Sequence, residues 1–108
     1  MAIKQAIVST DLSTSEVFAE PDTAITVMFF MNGSGAEAQL TVMIKPAADT
    51  NPLAVGTHGI LKDITIAAGD TYILDTEKLV IGAGDAIHAV ADPASPGAIV
   101  ATISYVAL

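Results

Sequence analysis

Cysteine is missing from the chain, which excludes a disulfide framework, a thiol nucleophile and a thiolate metal site. Stability must therefore come from packing, with association the other source open to it. Tryptophan is missing too, and the aromatic residues are Phe18, Phe29, Phe30, Tyr72 and Tyr105, too few rings to favour a platform that stacks on sugars. Positive charge is scarce, with 4 Lys plus Arg against 12 Asp plus Glu and a formal net charge of -8. That balance opposes the counterion release on which nucleic-acid binding depends, so no nucleic-acid partner is expected. No run approaches the ~20 consecutive apolar residues of a spanning helix. Asp11 and Glu16 interrupt the start before a secretory core could form. Neither a membrane partner nor a secretory signal is expected. Apolar residues at three- and four-residue spacing are absent over any helical length, so little helix beyond an occasional turn is expected.

What is present is an unusual combination. The chain is acidic yet 52% hydrophobic, with a mean hydropathy of +0.60 and only 15% charged residues, where ordinary domains carry about 25%. A single domain over residues 1–108 has more apolar surface than one small core readily hides. Burial between subunits is the natural outlet, because obligate interfaces resemble a domain core cut in half.

The apolar residues recur with a period of two. The last third of the chain alternates strands and turns, and Ala68-Gly69-Asp70 and Ala83-Gly84-Asp85 each stand before an apolar run. There Gly can take positive φ and Asp can bind nearby amides. Residues 86–91 and 97–108 are expected to form a final hairpin, with Ile99, Ala101, Ile103, Tyr105 and Ala107 on one face. Residues 23–31 form the strongest apolar run. Ile25, Val27, Phe29 and Met31 are expected on one face and Ala24, Thr26, Met28 and Phe30 on the other, both buried. Asn32-Gly33-Ser34-Gly35 has the composition of a tight hairpin turn. It leads to Ala36, Ala38, Leu40, Val42 and Ile44 facing inward, with Met43 the only apolar side chain on the wetter face. Residues 46–56 are the longest irregular stretch and the candidate recognition loop. A strand restarts at residues 57–66. Seven or eight short strands with regular turn signals predict an all-β fold, an antiparallel sandwich of jelly-roll or Ig-like type.

Chemistry-bearing residues are few. His58 and His88 are the only histidines; each reads as structural, since the further ligands of a metal site cannot be named. Asp70 and Asp85 read as turn formers, because the carboxylates lack the Asp-x-Asp spacing of a calcium loop. The serines lack a nucleophile elbow and the Asn32 to Gly35 group lacks the helix and lysine of a phosphate loop. No catalytic, metal or cofactor residue is assigned, and the chain is not expected to be an enzyme. A carbohydrate-binding module or adhesin would need exposed aromatics on one face, and a small β-sandwich enzyme would need carboxylates converging on His88. Adjacent Phe29 and Phe30 must point to opposite faces, one to the core and the other to a neighbour. Met28, Phe29, Phe30 and Met43 are the candidate subunit-interface residues, methionine being common where surfaces adapt.

Thr23-Ala24-Ile25-Thr26-Val27, Met43-Ile44-Lys45-Pro46-Ala47, Asp63-Ile64-Thr65-Ile66-Ala67-Ala68-Gly69-Asp70-Thr71, Leu79-Val80-Ile81-Gly82-Ala83-Gly84-Asp85 and Ala101-Thr102-Ile103-Ser104-Tyr105-Val106 together resemble small β-sandwich virion proteins of tailed bacteriophages. The resemblance implies a structural protein, a capsid decoration or cement protein or one associated with a tail or fibre, often a homotrimer. Its partners would be sister copies and a major capsid or tail protein, and it would be assembled in the host cytoplasm. It brings no catalytic residues and no cofactor.

Overall fold

A computed structural model describes residues 2–75, 79–92 and 99–108. Among them lie nine strands: β1 (Ala2–Ile7), β2 (Glu16–Phe18), β3 (Thr23–Asn32), β4 (Ala38–Lys45), β5 (Gly59–Ile66), β6 (Thr71–Leu74), β7 (Leu79–Ile81), β8 (Ala86–Asp92) and β9 (Ile99–Ala107). One helical turn, α1 (Val55–His58), and a 3-10 turn (Leu12–Thr14) complete the elements. The strands form an antiparallel β-sandwich. One sheet runs β1-β9-β3-β6, with β7 also on β3, and the other runs β2-β8-β4-β5.

Period-two alternation builds both inner faces. Ile99, Ala101 and Ile103 of β9 and Met28 and Phe30 of β3 meet Leu40 and Val42 of β4, Ile87, Ala89 and Ala91 of β8 and Phe18 of β2 in one buried cluster. Tyr105 packs on this cluster and stands edge-on to Phe18, ring centroids 4.9 Å apart. Both Ala-Gly-Asp groups are turns as their chemistry predicts, with φ +74° at Gly69 and +83° at Gly84.

Two expected hairpins are not hairpins. β3 and β4 lie in different sheets, as do β8 and β9; the connection of the second pair includes residues 93–98, which lie outside the described residues. The expectation at residues 32–35 took Asn-Gly as a two-strand turn, whereas the side chain of Asn32 is wholly buried and organises a crossing between layers. Its Nδ2 donates to the carbonyls of Ala36 (2.8 Å) and Ile66 (3.0 Å), and its Oδ1 accepts from the amide (3.0 Å) and hydroxyl (2.7 Å) of Ser34. Its backbone exchanges bonds with the second crossing, giving its N–H to Asp70 and accepting from Gly69, each at 2.8 Å. One residue thus ties together the arch from β3 to β4 and the arch from β5 to β6.

The parity of β3 also differs from simple alternation. The register to β9 shifts between Ile25 and Val27, so Thr26 is an extra residue, and its hydroxyl donates to the Ser104 carbonyl at 3.0 Å. The bulge puts Ile25 on the same side as Met28 and Phe30, in the core. Val27 and Phe29 are left half-buried and Met31 exposed on the other side. Residues 57–58 close α1 and the strand restarts at Gly59.

Candidate functional site

The two outer faces of the sandwich are unlike. On the second sheet, β4 turns Gln39, Thr41, Met43 and Lys45 outward, opposite Leu40 and Val42, and β8 contributes His88 and Val90. Met43 is nevertheless fully buried, because α1, within the excursion between β4 and β5, packs on both strands. The candidate recognition loop is this cover. His58, itself buried, latches it: Nε2 lies 2.9 Å from Asp49 Oδ2, and Nδ1 accepts the Ala54 amide at 3.2 Å. Lys45 Nζ donates to the Asp49 carbonyl at 3.2 Å. The amide of Asn51, followed by the His58 ring, holds the Asp49 carboxyl below the usual carboxylate range. Asp85 is held low in the same sense by the amides of Ala47 (2.8 Å) and Gly82 (3.0 Å). Its turn abuts the loop so closely that a Cβ at Gly84 would stand 2.7 Å from the Ala47 Cβ.

His88 pairs across the sheet with Glu16 and with Met43. Its Nδ1 lies 2.9 Å from the Ser15 hydroxyl, which donates to the Leu12 carbonyl at 2.7 Å. The imidazole therefore serves as the donor to a buried serine, the reverse of an activated nucleophile. Burial pushes the His88 pKa down, opposed by Glu16 and aided by Lys45 and His58. A folded-state pKa below the unfolded value of about 6.5 means that folding favours neutral His88. This contribution is complete above that pH and is lost as pH falls below it through the lower folded-state value. Urea midpoints measured at pH 7.5 and pH 5.5 should fall, and His88→Asn, which keeps a donor toward Ser15, should reduce the difference.

The outer face of the first sheet is different in kind. The registers place Ile3, Gln5 and Ile7 of β1 beside Ser104, Thr102 and Val100 of β9. The β9 residues stand in turn beside Val27, Phe29 and Met31 of β3. Ile73 of β6 lies next to Phe29, and Val80 of β7 next to Ala24, which has Val106 of β9 on its other side. Among the described residues no strand position on this face carries a charge, although the chain carries 12 acidic residues. Ile73 is 54% exposed, Val80 63% and Met31 41%. A face of this kind is the candidate interaction surface of the molecule.

The four sequence-derived interface candidates divide accordingly. Phe29 belongs to the outer face of the first sheet. Met28 and Phe30 point into the inter-sheet core and Met43 lies beneath the β4–β5 excursion, so none of the three offers surface to a neighbour. The bulge at Thr26 and the cover over β4 are the reasons. A charge at Met43 would test folding and not assembly. Ile73, Val80, Ile3 and Ile7 were missed as site residues. Each is an ordinary alternating apolar residue within its own strand, and only the pairing of five strands gathers them. Among the described residues no group of three or more His, Asp or Glu side chains converges as a metal site would require, and no helix is long and apolar enough to cross a membrane. No known protein family, curated protein or solved structure matches the chain.

Proposed function

We propose that the chain is a virion structural protein of a tailed bacteriophage, a capsid decoration or cement protein that binds the shell through the outer face of its first sheet and performs no catalysis. The observation that carries this reading is the charge-free face around Phe29 and Ile73 on an otherwise acidic molecule. Burying such a face yields about 25 cal/mol per Å² of apolar surface, while carboxylates elsewhere keep the particle soluble. Repetition of the contact across a lattice turns individually weak attachments into a durable one. The major capsid protein is the partner this reading calls for, with sister copies on adjacent lattice sites.

A sugar-binding role is less well served. Phe18 and Phe30 are in the core, Tyr72 and Tyr105 pack against it, and Phe29 is half-buried, so none of the five rings is exposed.

The test is co-sedimentation of the purified protein with phage heads prepared without it, and with tails as the competing substrate. Wild type is expected to pellet with heads. Ile73→Glu and Phe29→Lys should each weaken attachment roughly tenfold or more, the scale of a central interface residue, with unchanged circular dichroism. Equal pelleting of wild type and both variants would remove this face from the contact, and pelleting with tails alone would move the protein to the tail.

A further inference from the structure

The sheet edges are unequally protected. β2 and β7 span three residues each and β6 four, too short to template another strand. β5 is longer, but its pairing to β4 shifts register twice, and it carries Lys62 and Asp63, the latter at φ +53°. Such irregularity and charge are the usual means of blunting an edge. β1 has neither. Its six residues pair with β9 in unbroken register, and among the described residues β9 is its only partner strand.

Hydrogen-bond parity fixes what this edge presents. The Val8 amide donates to the Ile99 carbonyl at 2.8 Å, continuing the β1 to β9 ladder. Antiparallel alternation then directs the backbone groups of Ala6, Lys4 and Ala2 toward β9, and turns those of Ile3, Gln5 and Ile7 away from it. The side chains of Ile3 and Ile7 are 68% and 66% exposed. The only charge on β1, Lys4, is directed across the sandwich edge, with Nζ 3.4 Å from Glu20 Oε1 and 5.9 Å from the Phe18 ring centroid.

We propose that β1 is a homodimerisation strand, pairing antiparallel with β1 of a second copy about a twofold axis at Gln5. The sequence Ile3-Lys4-Gln5-Ala6-Ile7 is self-complementary about that centre. Ile3 then faces Ile7 of the second copy, Gln5 faces Gln5, and Ile7 faces Ile3. These are the positions whose amides and carbonyls point outward, so each pair exchanges both backbone bonds. Each isoleucine meets an isoleucine across the strands on the charge-free side, and Lys4 comes opposite Ala6, not opposite another charge. A twofold contact must use the same patch on both copies, and the match of Ile3 to Ile7 is what makes a second copy the fitting occupant. The contact uses the edge of the sheet and not its face, so it stands whether or not the face binds a shell. It gives dimers or even-numbered assemblies where the virion resemblance implies trimers.

Sedimentation equilibrium tests the pairing. Wild type should sediment at twice the 11.0 kDa chain mass. Gln5→Pro should sediment at the single-chain mass with its β circular dichroism retained, because the lost N–H is one that β9 does not use and proline is tolerated on an edge. Gln5→Cys, the sole thiol in its chain, should oxidise to a covalent dimer, since facing Cα atoms about 5.5 Å apart lie within disulfide range. Thr65→Cys on the β5 edge should not. A wild type of single-chain mass, a doubled mass surviving in Gln5→Pro, or cross-linking of Thr65→Cys as fast as Gln5→Cys would each overturn the proposal. Should Gln5→Pro fail to fold, the two cysteine variants decide. Loss of head binding with the dimer intact would overturn the shell reading alone.

Discussion

Replacing Asn32 by Asp should destabilise the fold by about 3–5 kcal/mol, the range for an uncompensated buried charge. The substitution is nearly isosteric, and the bonds from Ser34 to Oδ1 survive it. What changes is Nδ2, which donates to the carbonyls of Ala36 and Ile66. An oxygen there faces two carbonyl oxygens, in a residue with no exposure. Against a total stability of about 5–15 kcal/mol for a small domain, such a loss leaves the protein marginal. Urea unfolding at neutral pH measures it. The sign of the pH dependence is a further check. Burial raises the pKa of the new carboxyl, and its protonated form can donate one bond, so part of the lost stability should return as the buffer is acidified toward that pKa. A variant that loses no more than about 0.5 kcal/mol, the value of an ordinary surface change, would mean that Asn32 does not hold the two arches together.

The adjacent phenylalanines give the second large effect, and a contrast within it. Phe30 is wholly buried, facing Tyr72 and Ala101 across the sheet, and Phe30→Ala should cost about 3–5 kcal/mol through lost burial and the cavity left behind. Phe29→Ala removes a ring of the same size from the half-buried outer face, where little cavity can form, and should cost about 1 kcal/mol or less. Its effect belongs to attachment, which should weaken as for Phe29→Lys. Denaturation curves of the two variants side by side separate the faces of β3, and equal losses would mean that the outer face is already covered within one chain.

The His88 dependence and the two low carboxylates act in the same direction. Asp49 and Asp85 have folded-state pKa values below their unfolded ones, so their contributions are complete above about pH 3.9 and are lost as pH falls through the folded values. His88 loses its contribution first, beginning as pH falls below about 6.5. Acid should therefore loosen the region where Asp85 and His58 hold the excursion, while the first sheet, whose outer strand positions carry no ionisable side chain, is untouched by these groups.

Much of this molecule is local in origin. Alternation in residues 38–45 and 99–107 marks strands because successive side chains in extended backbone point to opposite sides. The Ala-Gly-Asp groups mark turns because glycine reaches positive φ and aspartate binds the amides beside it. Composition alone raises the expectation that apolar material exceeds what one core hides. Sheet membership is not local. Whether β4 pairs with β3 or crosses to the other layer depends on partners far along the chain, and at Asn32 a buried side chain with four hydrogen bonds overrode a dipeptide that ordinarily closes a hairpin. Parity is equally fragile, since one extra residue at Thr26 put Ile25 and Val27, two residues apart, on opposite faces. The charge-free surface is the clearest case. Every residue in it was visible as one beat of an alternation, yet Ile3, Phe29, Ile73, Val80 and Val100 become one surface only through the long-range register of five strands, because period two says which residues share a side of a strand and nothing about which strands share a sheet.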